Sequence, residues 1–359
     1  MKFMKSMVVI LLIFTNGCLF FQDVSREGFK EEDLRAPLPY AFYMVEKPHS
    51  SAFPPIIPVF KLYYKVPPLY KNYRGSFWID IENTGKSDIF VYGLAIKIDG
   101  NEQKSIFHGG KKISQGEKEH FVLSFECPDE GNHTYQLGVY YMAGLRGRWY
   151  DHGLRYMEEK REMKVEGYQS GGYKLYKNYY KDFDKINNLI DTNDVEVVEK
   201  TNEITSSYGS SYNVAKMCAI FEWIYLNIPY VNDTENEWHT PSYALSNGGD
   251  CEEFAMLMAS MITIAGGTAR VYLTDNHAFA AVYIGKDLSL LKNIDSYYNA
   301  NLSYAFFKDE MGYWLVADPL SSFRIGFLPV GGIVKGGGGK YYSWSIITND
   351  LYSIDVMKD

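Results

Sequence analysis

The chain has 359 residues, with 36 Lys or Arg against 44 Asp or Glu and a formal net charge of −8. This acidic balance, without a dense basic stripe, argues against nucleic acid as a partner, because nucleic-acid binding requires a basic face. The length and the 46% hydrophobic content allow two domains with sizeable cores. The 31 tyrosines predict a large β component, since aromatic residues favour strands.

The first residues have the pattern of an export signal. Two lysines precede the apolar run MVVILLIF, and Asn16 and Gly17 interrupt it before it reaches the roughly 20 residues of a membrane span. The pair Gly17-Cys18 resembles a lipoprotein processing site, which makes Cys18 the lipidation candidate. We therefore expect residues 1–21 to be a signal peptide or lipoprotein anchor that brings an exported protein to the membrane surface. A short uncleaved anchor is the alternative.

Two segments with different patterns follow. Residues 22–55 are charged and then proline-bearing, which predicts a linker that acts as a tether. Between residues 56 and 170, alternating runs such as GSFWIDIEN and DIFVYGLAIKI end at turn signals. Several short strands at similar spacing predict a β-sandwich of immunoglobulin-like type. Because this segment gathers no catalytic residue types, we expect it to serve in spacing or ligand binding.

From residue 171 the pattern changes to helices followed by strands. Helical runs include YYKDFDKINNLI and NVAKMCAIFEWIYLNI, and strand-like runs include ARVYLT, HAFAAVYIG and YWLVADPL. This order predicts an α+β domain, of helices packed on an antiparallel sheet, over residues 171–359. Cys218 lies on the apolar face of the second helical run, where we expect a small core residue.

Cys251 stands at a predicted helix start, in the run SNGGDCEEFAMLMASM. Asp250 is a favourable N-cap, and Glu253 three residues later completes a capping box. The free N–H groups and the dipole at a helix start favour an anion, and so they lower a thiol pKa and populate the nucleophilic thiolate. The acidic neighbours Asp250, Glu252 and Glu253 oppose this effect. We therefore expect Cys251 to need a cationic histidine partner.

Two downstream residues are candidates for the partners of Cys251. His277 begins the run HAFAAVYIG, and Asp318 ends the run YWLVADPL. If the two runs pair as adjacent antiparallel strands, His277 and Asp318 lie side by side, and a helix packed on the sheet presents Cys251 to the histidine. Asp318 then orients the imidazole and stabilises its charged form, as in other nucleophile–base–acid arrangements.

These motifs resemble the transglutaminase-like superfamily, whose members share papain-like Cys-His-Asp chemistry. The resemblance rests on Gly-Asp-Cys before a hydrophobic helix, His at the start of one strand, Asp-Pro at the end of another, and the lead-in runs IFEWIYLNIPY and EWHTPSYAL. It implies a transglutaminase-like domain with its core at residues 205–330. Carried over residue by residue, it implies Cys251 as nucleophile, His277 as general base and acid, and Asp318 as the orienting partner.

The resemblance also suggests Trp238 as an oxyanion or substrate-binding residue, since relatives often keep an aromatic or amide side chain near the nucleophile. A packing tryptophan is the alternative. His239, with the cysteine and acids nearby, matches no metal-ligand spacing, so we expect neither a metal nor a cofactor. The polar, tyrosine-bearing stretch 286–312 is expected to be an insertion that shapes substrate access.

Together these features predict an extracytoplasmic thiol enzyme that attacks a peptide or amide bond of a protein or peptide substrate and forms a thioester, and the resemblance implies that it is a hydrolase. Two alternatives stay open. If an amine replaces water as acceptor, the same chemistry gives a crosslinking transglutaminase. A non-catalytic cell-surface binding or scaffold protein that retains the fold is the other alternative, and the intact Cys, His and Asp argue against it.

Overall fold

The computed structural model of the chain describes residues 31–35, 44–51, 57–167, 179–232, 237–274, 277–330, 334–335, 344–346 and 352–356. The predicted signal or anchor segment, with Cys18, lies outside the described residues. No helix in the described ranges is both long enough and apolar enough to cross a membrane.

The N-terminal part is a sandwich of two β-sheets. Its strands in chain order are β1 (Ser50–Ser51), β2 (Phe60–Lys65), β3 (Leu69–Tyr70), β4 (Gly75–Asn83), β5 (Ile89–Ile98), β6 (Asn101–Ile113), β7 (Lys118–Phe125), β8 (Gly131–Leu145), β9 (Arg148–Tyr156) and β10 (Arg161–Glu166). One sheet has the order β2-β4-β7, and the other is built around β8, which pairs with β5, β9 and β10. Phe77, Ile96 and Leu123 of the two sheets are fully buried in one shared core, which confirms the predicted sandwich.

The C-terminal part packs helices on a third β-sheet, which is separate from the two sheets of the sandwich. After the short α1 (Glu31–Arg35), the helices are α2 (Tyr179–Leu189), α3 (Val195–Thr205), α4 (Val214–Asn227), α5 (Pro241–Asn247), α6 (Cys251–Ile264) and α7 (Leu291–Tyr298). The strands are β11 (Ala269–Leu273), β12 (Ala278–Gly285), β13 (Ala305–Lys308), β14 (Tyr313–Ala317), β15 (Val334–Lys335), β16 (Trp344–Ile346) and β17 (Tyr352–Asp355). The sheet order is β15-β16-β13-β14-β12-β11-β17. The predicted α+β class is therefore confirmed, with one departure from the predicted antiparallel sheet: β13 and β16 pair in parallel.

Helix α6 is the central element of this domain. It contacts α3, α4 and α5 and lies against β11 and β12. Residues 253–263 are all buried, so the helix is apolar on nearly every side, as expected for a helix enclosed by a core. Cys218 of α4 is fully buried in the same core, as predicted.

The predicted linker, residues 22–55, is attached to the folded parts wherever it is described. Leu34 is 1% exposed within the C-terminal core, and Glu31 accepts a hydrogen bond from the Tyr283 hydroxyl at 3.1 Å. Strand β1 pairs in parallel with β9 of the sandwich. Because these contacts reach both parts of the protein, the described portion of this segment is not a free tether.

The stretch 286–312 is part of the domain core instead of an added polar insertion. It contains α7 and β13, and β13 pairs with β14 in the central sheet. Leu291, Ile294 and Tyr298 are buried in the main core. The tyrosines that make this stretch look polar in sequence bury their rings, so its expected polar surface character is wrong, while its role in substrate access stays a prediction.

Two glycines control how the chain enters α6. Gly248 has φ 79° and ψ −164°, a backbone conformation that is essentially restricted to glycine. A Cβ on Gly248 would lie 2.3 Å from the Pro229 carbonyl oxygen, and one on Gly249 would lie 2.4 Å from the Glu253 Cβ. The chain therefore needs both glycines to bring Cys251 to the start of the helix.

We predict that Gly248→Ala destabilises the fold more than Gly209→Ala. Gly209 has nearly the same conformation, φ 84° and ψ −177°, but no atom lies within 4 Å of an added Cβ. The backbone cost of about 1–3 kcal/mol is common to both variants, and only Gly248→Ala adds an overpacking cost of about 1–3 kcal/mol. The free energy of unfolding in urea measures both losses. Equal losses would contradict the close packing of Gly248 against Pro229.

Candidate functional site

His277 and Asp318 meet at one end of the central sheet. Strand β12 begins directly after His277, and β14 ends directly before Asp318. The two strands are antiparallel neighbours, with Ala280 opposite Ala317. His277 Nε2 lies 2.9 Å from Asp318 Oδ2, and the two side chains are 8% and 2% exposed. The two residues that were predicted to lie side by side do so, in a place where water screens their interaction little.

The Asp318 carboxylate is held from several directions. Its Oδ1 accepts a hydrogen bond from the Leu320 N–H at 3.1 Å, and its Oδ2 accepts one from the Val330 N–H at 3.0 Å. Hydrogen bonds to an ionised acceptor are stronger than neutral ones. These donors fix the carboxylate, which in turn fixes the plane and tautomer of the His277 ring.

The backbone of His277 is fixed by hydrogen bonds to Thr274. Its N–H donates to the Thr274 Oγ1 at 2.8 Å, and its carbonyl accepts the Thr274 N–H at 2.9 Å. The ring stacks on Phe279, with 5.8 Å between centroids. The imidazole is therefore positioned by the strand, by a ring neighbour and by Asp318 together.

Cys251 is the first residue of α6, and the predicted capping box is present. The Asp250 side chain accepts the Glu252 N–H at 3.3 Å, while the Asp250 N–H donates to Glu253 Oε2 at 3.0 Å. The second oxygen of Glu253 accepts the His239 N–H at 2.8 Å. Glu253 thus ties the segment before α5 to the start of α6 and fixes the position of the thiol.

The Cys251 thiol has two acidic neighbours, Glu252 and Asp250, and one N–H donor. Its Sγ donates to Glu252 Oε2 at 2.8 Å, and no hydrogen bond joins it to His277 in the described part of the chain. Burial, the charge of Glu252 and the hydrogen bond to Glu252 raise the pKa of the Cys251 thiol well above its ordinary value. A hydrogen bond from the backbone N–H of Ala278 lowers the pKa of the thiol. The thiol therefore lies next to the residue that follows His277.

The pKa of Glu252 is itself shifted from its ordinary value. Burial and a hydrogen bond with Asp250 raise the pKa of Glu252 to about 7, and the thiol of Cys251 partly offsets this. Burial also raises the pKa of Glu253. The charge that faces the thiol therefore changes near neutral pH.

Asp250, Cys251 and Glu252 have side-chain ligand atoms within 4.8 Å of one another, and they are the one such group of three among the described residues. The Asp250 carboxylate caps the helix, and the Glu252 carboxylate accepts the thiol hydrogen bond. Because both carboxylates already have these partners, the group carries no metal assignment.

Trp238 packs against the core that contains α6. The Lys185 ammonium lies 3.9 Å from the centre of its ring, a cation–π contact. Its Nε1 is buried and, among the described residues, has no hydrogen-bond partner. His239 stacks on Tyr243, with ring centroids 4.0 Å apart, in a packing role. A buried indole N–H without an acceptor calls for an explanation, because such groups are rare.

Two contacts of the site were not predicted from the sequence. The Val330 N–H reaches Asp318 from a segment without periodicity, and a backbone donor leaves no mark on residue type. Glu252 was predicted to oppose the thiolate by its charge, but its direct hydrogen bond to Sγ depends on a rotamer. The two charges next to the thiol in the sequence were the only available signal.

Some solved structures resemble the chain over about a third of its length. They include the CARDB domain of the PF1109 protein from Pyrococcus furiosus (12% identity, 31% of this chain and 96% of that chain, TM-score 0.21). The putative ApaA protein from Bordetella pertussis is another (16% identity, 31% and 98%, TM-score 0.23). Scores this low carry no argument about function. A search of curated proteins gave no match.

The family comparison falls on the region of the site. Residues 199–319 match the model of the transglutaminase-like superfamily. The match includes α6 with Cys251 and the two strands that bring His277 and Asp318 together. The C-terminal part of this chain therefore contains a domain of the transglutaminase-like superfamily.

Proposed function

We propose that the chain is a thiol hydrolase that cleaves a peptide or amide bond through a thioester on Cys251. The observation that supports this most is the buried His277–Asp318 pair next to a thiol at a helix N-terminus. It lies within the match to a superfamily known for such chemistry. The signal pattern of residues 1–21 supports an extracytoplasmic location with an anchor at Cys18.

The proton path follows from the way His277 is held. Asp318 accepts from Nε2, so Nδ1 is the ring nitrogen that exchanges a proton with the thiol. Cys251 Sγ attacks the carbonyl carbon while its proton passes to His277. The imidazolium then protonates the departing amine, the C–N bond breaks and the thioester forms. Water, deprotonated by His277, hydrolyses the thioester and regenerates the thiol.

The thiol has to turn before it can react. In its resting rotamer it donates to Glu252, and that acceptor opposes ionisation. Rotation about the Cα–Cβ bond away from Glu252, on the side where the Ala278 N–H already lies, exchanges that acceptor for His277. We propose that a bound substrate favours this second rotamer by excluding water from the site.

Two donors are available for the oxyanion. The backbone N–H of Cys251 belongs to the first turn of α6, where N–H groups have no acceptor within the helix. The Nε1 of Trp238, buried and without a described partner, is the side-chain candidate. Donors that are already oriented stabilise a developing negative charge strongly.

Iodoacetamide at neutral pH tests the nucleophile. We expect Cys251 to label faster than Cys218, which is fully buried, and we expect His277→Ala to remove this selectivity because the proton acceptor is lost. Peptide mapping by mass spectrometry identifies the labelled thiol. If Cys251 labels no faster than Cys218 in the folded wild-type chain, the non-catalytic alternative is favoured.

We predict that Glu252→Gln speeds the alkylation of Cys251 by about tenfold at pH 8, the equivalent of one pKa unit. The change removes the carboxylate charge that raises the pKa of the thiol. Glu252 in the wild type takes up a proton as the pH falls through about 7. The ratio of the variant rate to the wild-type rate should therefore approach one at acid pH and increase above neutrality. A pH series of alkylation rates measures this ratio.

Glu196→Gln is the matched control for this measurement. Glu196 occupies the second position of α3 after the N-cap Asp194, as Glu252 follows Asp250 in α6. It is exposed and belongs to a helix start that carries no thiol. A ratio that is independent of pH for Glu252→Gln, or an equal effect of Glu196→Gln, would rule out the role given to Glu252.

Hydrolysis is distinguished from amine transfer by product analysis. Peptide amides, including glutamine-containing ones, are incubated with the chain in the presence and absence of a primary amine. We expect free acid to be the main product under both conditions. Amine incorporation in excess of hydrolysis would identify a transferase instead, and Cys251→Ala corrects for background in both cases.

A further inference from the structure

The segment 318–330, which follows β14, is buried although it forms neither helix nor strand. Residues 321–329 are all buried. Connecting segments normally run over the surface, because their backbone groups need water. This segment, here called the 318–330 loop, is buried because the β-sandwich covers it.

Both ends of the 318–330 loop bind the Asp318 carboxylate. Leu320 donates from the first turn of the loop, and Val330 donates from its last residue. Ser321 also donates from its Oγ to the Asp318 carbonyl at 2.8 Å. Any shift of the loop therefore changes the donors that orient Asp318 toward His277.

Tyr73 of the sandwich holds the middle of the loop. Its hydroxyl lies 3.1 Å from the Gly326 carbonyl oxygen and 3.0 Å from that of Ser303. Its ring packs edge-on against Phe327, at 5.4 Å between centroids. Burial raises the pKa of Tyr73 to about 12, so the hydroxyl remains a donor at neutral pH.

Arg324 forms the second connection. Its side chain is fully buried, and its Nε donates to the Ser76 Oγ of β4 at 3.3 Å. The guanidinium lies 5.2 Å from the Phe327 ring and 5.9 Å from the Tyr304 ring. Its Nη1 donates to the Ile325 carbonyl oxygen at 3.4 Å, and its charge partly offsets the burial that raises the pKa of Asp295. A buried charge held by a hydroxyl, a carbonyl, two rings and a nearby carboxyl group is costly to displace into a less complete environment.

We infer that Tyr73 and Ser76 position the 318–330 loop, through Gly326 and Arg324, and so orient Asp318 against His277. The β-sandwich is then an integral part of the active site and more than a spacer. Tyr73 is a positioning residue, since it touches neither the thiol nor the imidazole. The inference rests on the proposed function only in taking the orientation of Asp318 to matter for reactivity.

The test compares Tyr73→Phe with Tyr92→Phe in the full chain. Both changes remove a hydroxyl hydrogen bond of a buried tyrosine, but Tyr92 donates to Asp151 within the sandwich. The first measurement is the NMR signal of the His277 Nε2–H, assigned by its loss in His277→Ala. The second is the rate of Cys251 alkylation by iodoacetamide across pH.

We expect Tyr73→Phe to move the Nε2–H signal upfield and to shorten its exchange lifetime, because the bond to Asp318 loosens. We expect its alkylation rate at pH 7 to fall about three- to tenfold, equivalent to up to one pKa unit. Tyr92→Phe should match the wild type in both. If Tyr73→Phe matches the wild type, or if both variants shift the signal equally, the positioning role is wrong.

A separate outcome isolates the proposed function. If Tyr73→Phe shifts the Nε2–H signal while Cys251 of the wild type is unreactive, then the positioning inference holds and the hydrolase proposal fails. If Tyr73→Phe does not fold, Ser76→Ala decides the question, because it removes only the acceptor of Arg324 Nε. We expect Ser76→Ala to move the Nε2–H signal upfield by less than Tyr73→Phe would. An unchanged signal in Ser76→Ala would overturn the inference.

Discussion

The buried hydrogen bond between His277 and Asp318 is the constraint on which the rest of the structure depends. A carboxylate that is 2% exposed is costly unless donors replace the water it has lost. The pairing of β12 with β14 brings the histidine, and the ends of the 318–330 loop supply two backbone N–H groups. The loop can be buried only because the sandwich covers it. The sheet, the loop and the sandwich therefore all serve the one site where His277 and Asp318 are hydrogen-bonded.

The thiol lies between opposing effects. The start of α6 and the Ala278 N–H favour the thiolate, whereas burial and Glu252 favour the neutral thiol. Burial and Glu252 have the larger effect in the resting protein, so the thiol is neutral there. A neutral thiol is a weak nucleophile and a poor target for oxidation, since both reactions need the thiolate.

Patterned segments of the chain were predictable, and unpatterned ones were not. The strand patterns of HAFAAVYIG and YWLVADPL predicted that His277 and Asp318 lie side by side if the two strands pair, and Asp250 with Glu253 was sufficient for the capping box. The 318–330 loop has no periodicity. Its burial depends on contacts with the sandwich that the sequence pattern does not show. The stretch 286–312 looked polar because a tyrosine gives no sign in sequence of whether its ring is buried.

The central claim is that Cys251 is a nucleophile served by His277. The most direct measurement is intact-mass analysis of the full chain after brief exposure to a peptide thioester, followed by peptide mapping. We predict one acyl group on Cys251 in the wild type, and a greatly slowed appearance of that adduct in His277→Ala. Acylation that is absent, or that falls equally on Cys127 and Cys218, would contradict the account.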